Sequence, residues 1–258
     1  MNRVSELSTL LAALRRENRQ QSGLDQRLIP SDMTAAKRIG ADVAAALGWA
    51  VGGWKIAANK EKMQRALRTD APIFGRVYKQ FIRQSPAALE GRTLLHPVSE
   101  AEYVVKLGED LPPRARPYDE DEIADAVDSI HPGLEIAECR FVHDENFPPL
   151  TAIIADGSGS GSLIYGAAIP NWRTQNIAEQ DVVLSVNGAE RRRGDAATAI
   201  DHPLTPLTWL ANELSRARIG MEAGELISTG TLTGMVLAQS DEEHVADFGP
   251  FGAVRASF

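Results

Sequence analysis

The sequence predicts an α+β protein, helical at its start and built from mixed strands afterwards. Three observations carry that reading. Apolar residues recur at helical spacing through residues 1–50, and strand-like segments broken by glycine and proline turns dominate from "AVGGWKIAA" onward. Later helical stretches do not alternate regularly with strands, which argues against a βαβ succession. No repeat or linker divides the 258 residues. A single domain is expected, with 1–50 as a helical N-terminal segment and 51–258 as the core.

Val4, Leu7, Leu11 and Leu14 mark the first helix, before the polar "RRENRQQSG". In "PSDMTAAKRIGADVAAALG", Ser31 is the expected N-cap, Ile39, Val43 and Leu47 form the stripe, and Gly48 ends the helix. A third helix is expected at "YDEDEIADAVDSI", with Ile123, Val127 and Ile130 on one stripe. Its four acids, Asp119 to Glu122, sit in the first turn, where the helix dipole favours them. A proline loop, "DENFPPL", and a glycine-serine stretch, "DGSGSGS", follow the strand "HPGLEIAECRF". Then come a strand at "DVVLSVNG", a helix striped by Leu207, Leu210 and Leu214, and two strand-and-turn segments, "GELISTGTLTGMVLAQ" and "HVADFGPFGAVRASF".

A net charge of −8 argues against a nucleic-acid backbone as the main partner. The one tight basic cluster, Arg191 to Arg193, follows "NG" and belongs on a solvated hairpin. A single cysteine, Cys139, excludes an intramolecular disulfide and fits a reducing compartment. No apolar run is long enough to span a membrane, and the N-terminus lacks a signal-peptide layout, so the expected location is cytoplasmic. "DGSGSGS" matches neither nucleotide-binding glycine pattern, and the histidines show no zinc spacing.

The chemistry lies in "VSEAEYVVKL". On a strand, Glu100 and Glu102 point to one face, while Ala101, Tyr103, Val105 and Leu107 take the other. In "HPGLEIAECR" the same alternation groups Gly133, Glu135, Ala137 and Cys139, so small residues flank Glu135 and leave room for a ligand. Three carboxylates from two strands form a hard-oxygen site suited to Mg²⁺ or Mn²⁺. Spacing alone favours a solvated face for Glu100 and Glu102, and a surface position for Lys55.

The order of motifs narrows that choice. "GWKIAANKEKMQRAL", "APIFG", "SEAEYVVKLGEDLP", "HPGLEIAECRF", "IADGSGSGSLIYG", "TGTLTGMV" and "ADFGPFGAVRASF" occur in this sequence. Together they resemble the 2-oxo-4-pentenoate hydratase and 4-oxalocrotonate decarboxylase group of the fumarylacetoacetate hydrolase superfamily. The resemblance implies a mixed, rolled β-sheet core of that superfamily's C-terminal-domain type and a small 2-oxo acid substrate. It implies Glu100, Glu102 and Glu135 as ligands of Mg²⁺ (or Mn²⁺), and Lys55 and Ser160 as catalytic. Asp156, Thr229, Gly230 and Thr231 match substrate-binding positions. It also implies a homo-oligomer, with association with a related hydratase or decarboxylase open.

The expected activity is a metal-dependent lyase hydrating 2-hydroxy-2,4-dienoates. Decarboxylation of a 2-oxo-3-enedioate is the alternative, followed by acylpyruvate-type C–C hydrolysis or an inactive partner subunit. Two departures bear on this. Ile73 in "APIFG" stands where hydratases of the group often carry an acid, and "GSGSG" replaces an asparagine-containing loop.

Overall fold

The computed structural model describes residues 3–258, and the predicted stripe residue Val4 lies outside the described side chains. Helices α1 (Arg3–Arg16) and α2 (Met33–Leu47) come first. Leu7, Leu11 and Leu14 of α1 are fully buried, and Ile39, Val43 and Leu47 of α2 are buried. The two helices pack their stripes together with Tyr78, Phe141 and Ala152 in a core of their own. Gly48 ends α2 in the left-handed conformation, at φ 63°. The N-cap is Asp32 and not Ser31. The Asp32 carboxylate accepts from the Ala35 amide at 2.8 Å, while the Ser31 hydroxyl donates to Asp32. A charged acceptor at the positive end of the helix outcompetes a hydroxyl.

Next come β1 (Val51–Ala57), α3 (Glu61–Leu67), β2 (Ile73–Tyr78), β3 (Ile82–Gln84), β4 (Ala87–Ala88) and β5 (Val98–Leu107). They are followed by α4 (Glu120–Ala126), β6 (Val127–Ala137), α5 (Leu150–Ala155) and β7 (Ser162–Tyr165). The hairpin β8 (Val182–Val186) and β9 (Ala189–Gly194) leads into α6 (Ala196–Ala199) and α7 (Leu204–Arg216). The last strands are β10 (Leu226–Ser228), β11 (Met235–Leu237), β12 (Glu243–Asp247) and β13 (Ala253–Ser257).

The predicted third helix is shorter than expected. Asp119 and Glu122 form a capping box at the start of α4, which accounts for the acidic first turn. The helix ends at Ala126, and Val127 and Ile130 pair instead with Leu107 and Val105 of β5. β-branched side chains suit a two-sided buried strand better than a helix end. Helices α3 and α5 were not foreseen.

One sheet runs in the order β2-β1-β10-β5-β6-β7-β3, with β11 also paired to β5. β2 and β3 sit at opposite ends of that order, yet only residues 79–81 separate them in the chain. A link so short cannot bridge a flat sheet of seven strands. The sheet therefore curls until its ends meet. A second sheet, β4-β13-β12-β8-β9, covers one face of this roll. Trp54, Tyr103, Leu134, Leu184, Leu210 and Phe248 belong to the apolar core between the two sheets and α7. Within the described residues no helix is long and apolar enough to cross a membrane.

The inner face of the roll positions the site. Register places Met235, Glu100, Glu135 and Leu163 side by side across β11, β5, β6 and β7. Lys55, Ser228, Val104 and His131 form a second level across β1, β10, β5 and β6. Val77, Val104, Leu163 and Leu226 meet as a buried apolar plug. The carboxylates lie at one end of the roll, and the plug fills the space beside and below them.

Candidate metal centre

Glu100, Glu102 and Glu135 each offer an oxygen within 4.8 Å of the others. All three are buried, with Glu100 at 7 % exposure the most accessible and Glu102 at 1 % the least. Glu102 is held most tightly: Ser228 Oγ and the Gly230 amide, the latter at 2.7 Å, both donate to its Oε2. Both oxygens of Glu135 are buried; Oε2 has no hydrogen-bond partner, and Oε1 has only the Lys55 ammonium beside it. Leaving a carboxylate so costs several kcal/mol (~3 or more) without a compensating charge. Lys55 Nζ, 3.0 Å from Glu135 Oε1, supplies part of that charge in an ion pair.

The electrostatics are those of an under-compensated anionic cluster. Burial pushes the Glu100 carboxyl up to about 7, Glu135 adds to the rise, and Lys55 opposes it. Burial likewise raises Glu102 well above the ordinary range, with Glu135 and Glu100 contributing and Ser228 and Lys55 opposing. For Lys55, burial pulls the ammonium down, but Glu135, Glu100 and Glu102 together outweigh it and the net shift is upward. Three acids against one ammonium call for a further cation. A compact set of buried carboxylate oxygens, one of them with no donor at all, fits a hard divalent ion.

The space beside Glu135 differs from expectation. A Cβ on Gly133 would stand 2.4 Å from Val104 Cγ2, so the plug fills that room.

The 229–231 segment forms one wall. Its Gly230 amide reaches Glu102, and a side chain there would strike Asn59 Nδ2 at 2.2 Å. Gly230 also has φ +106°, which favours glycine. Thr229 Oγ1 donates to the Tyr103 carbonyl, and Thr231 Oγ1 accepts from the Gly234 amide at 2.9 Å. Both hydroxyls serve the wall. Ser228, which grips Glu102, and Asn59, which donates to the Thr229 carbonyl at 2.9 Å, escaped the sequence reading. The alternation of "LIST" along a strand was the signal for Ser228.

Asp156 and Ser160 lie elsewhere. Asp156 is fully buried between two arginines, with Arg15 Nε 3.1 Å from Oδ1 and Arg140 Nε 2.9 Å from Oδ2. The Arg140 amide also donates to it at 3.1 Å. Its carboxylate is saturated by protein donors, so the geometry gives it a clamping role in place of the expected substrate contact. Ser160 Oγ donates to the Arg76 carbonyl at 2.6 Å. The loop nevertheless packs on the site face. A Cβ on Gly75, the β-partner of Lys55, would stand 1.9 Å from the Gly157 carbonyl oxygen. Ile73 is buried against Ala36, Ala58 and Ile154 and offers no acid. Cys139 is buried, and burial pushes its thiol up to about 11, which makes it an inert thiol.

A curled mixed sheet that gathers three buried carboxylates and a lysine at one end defines a metal-binding enzyme scaffold. Residues 55–258 match the family described as "Fumarylacetoacetate (FAA) hydrolase C-terminal", and the chain belongs to that family. It is 29 % identical over 227 residues to the 2-keto-4-pentenoate hydratase of Paraburkholderia xenovorans (strain LB400), covering 88 % of this chain and 83 % of the relative. It is 28 % identical over 209 residues to a 4-oxalocrotonate decarboxylase of Pseudomonas putida, covering 80 % and 76 %. The 4-oxalocrotonate decarboxylase from Pseudomonas putida G7, solved in complex with magnesium and adipate, shares the fold. Its TM-score is 0.87 at 22 % identity, over 99 % of this chain and 97 % of that one.

Proposed function

We propose that this protein is a Mg²⁺-dependent lyase that hydrates 2-hydroxy-2,4-dienoates, with Glu100, Glu102 and Glu135 holding the metal. The observation that carries the reading is Glu135, whose two buried oxygens have no donor but the Lys55 ammonium, inside an acidic triad that this one lysine underneutralises. Names of curated relatives, including a 2-oxo-hept-4-ene-1,7-dioate hydratase from Escherichia coli at 24 % identity, support the substrate class. A divalent ion bound there stabilises negative charge developing on the keto oxygen of a 2-oxo acid.

The chain's own residues do the rest. In the metal-free triad, Glu135, Glu100 and Glu102 hold Lys55 as an ammonium against its burial; beside a bound metal it is suited to hold the substrate carboxylate or to shuttle a proton. Ser228 and the Gly230 amide fix Glu102, so that the triad keeps its geometry. The 229–231 wall and the plug exclude bulk water, leaving the more accessible Glu100 side as the source of the water that adds at C4. Ser160, whose hydroxyl donates to the Arg76 carbonyl, would have to leave that bond to act on substrate.

A second reading, decarboxylation of a 2-oxo-3-enedioate, is favoured by Ile73, which packs into the core at the position where an acid would assist hydration. One experiment separates them. The protein is incubated with Mg²⁺ and 2-hydroxypenta-2,4-dienoate, and separately with 2-oxohex-3-enedioate. Ultraviolet loss of the first without CO₂ release is expected; CO₂ from the second alone selects the decarboxylase. Cleavage of an acylpyruvate with neither signal overturns both.

A further inference from the structure

Outside the carboxylate site, a small half-closed cavity lies between the N-terminal helices and the outer face of β2, lined by Arg15, Lys37, Phe74, Arg76, Tyr78 and Asp156. Strand alternation directs Phe74, Arg76 and Tyr78 to this one face. Three features set it apart from ordinary packing. The Tyr78 ring is buried, while its hydroxyl, for which no hydrogen bond to a described residue is present, stays open to the cavity. The Arg76 guanidinium makes no ion pair and no hydrogen bond within the same set; it lies over the Trp54 ring, 4.9 Å from the centroid. Nearby, Asp156 balances only one of the two buried arginines it joins, Arg15 and Arg140. Lys37 is already paired with Glu213 at 2.5 Å.

Glu225, bonded to the Trp54 indole under Arg76, offsets part of that charge without pairing with it; the local balance stays positive, and two donors lack protein acceptors. Both facts call for an anion. The cavity is too small for a nucleotide and of a size for a compact oxyanion. We propose that it binds one small oxyanion, such as phosphate or a short carboxylate, between Arg76 and the Tyr78 hydroxyl. The backbone of the same strand is already engaged on its other side. Ser158 Oγ donates to the Phe74 carbonyl at 2.7 Å and Ser160 Oγ to that of Arg76 at 2.6 Å. The oxyanion would thus sit behind the loop that carries Ser160, separate from the triad.

The full-length protein, kept metal-free with chelator, is titrated with inorganic phosphate and separately with acetate, chloride holding ionic strength constant. Melting temperature and equilibrium dialysis are measured. Saturable uptake of about one equivalent is expected, with a rise of about 5 °C at saturation. Tyr78→Phe, which deletes one oxygen, should weaken binding by about tenfold, and Arg76→Gln should abolish it. Glu102→Ala should leave it intact. Phosphate alone identifies a tetrahedral ligand, and acetate alone a carboxylate; either supports the site. Chloride stabilising equally, binding that survives in both Tyr78→Phe and Arg76→Gln, or binding lost in Glu102→Ala overturns it.

Discussion

Glu100 and Glu102 together carry the pH dependence of the metal-free protein, both being raised by burial, and Glu100 is the one that titrates near neutrality. Its carboxyl is raised by burial and by Glu135 to about 7. A group that binds its proton more tightly when folded stabilises the fold below the ordinary carboxyl range, and that stabilisation is lost as pH rises through the folded value. With chelator present, the melting temperature should fall by about 5 °C or more between pH 5 and 8. In Glu100→Gln the slope should flatten; an unchanged slope would show that another group titrates. Ser228→Ala removes the hydroxyl that steadies Glu102 and should lower divalent-ion affinity by about tenfold, measured by calorimetric Mn²⁺ titration. The two glutamates of β5 were legible because alternation alone puts them on one face. Ser228 was not, since 126 residues separate it from Glu102 and only the sheet order β10-β5 brings them together.

Among the elements, β2 and the loop that follows α5 depend on each other's smallness. Gly75→Ala would drive a methyl into the Gly157 carbonyl and push the 157–160 loop off the sheet. A loss of about 3 kcal/mol is expected, seen as a lower denaturation midpoint and faster proteolysis within that loop. By contrast, Asp119→Ala deletes only the capping box of α4 and should cost about 1 kcal/mol. Most element positions could be read from periodicity. The misreadings have physical causes. Ile123, Val127 and Ile130 fit a helical stripe, but the last two are claimed by the ladder with β5, whose pairing outweighs local propensity. Helix α5 hides because its six residues sit between proline and glycine signals, too short for a period to show.

For the molecule as a whole, the N-terminal helices are joined to the roll by Asp156, which takes Arg15 from α1 and Arg140 from the segment after β6. Asp156→Asn would leave two buried guanidiniums facing each other. About 3–5 kcal/mol should be lost, and the helical core of Leu7, Leu11 and Val43 should open first, visible as early hydrogen exchange in α1. Nothing in the linear order announces this clamp, because its members stand 141 and 16 residues apart. Overall class and the acidic triad were open to reading, whereas the closure of the roll follows from a three-residue link that only strand order reveals.

The plug of Val77, Val104, Leu163 and Leu226 closes the Gly133 side of the carboxylate site and leaves Glu100 its most accessible member. Whatever enters past Glu100 cannot run on past Gly133, so product has to back out before the next substrate comes in. A compound that corks that way in would therefore trap the occupant as well as exclude its successor.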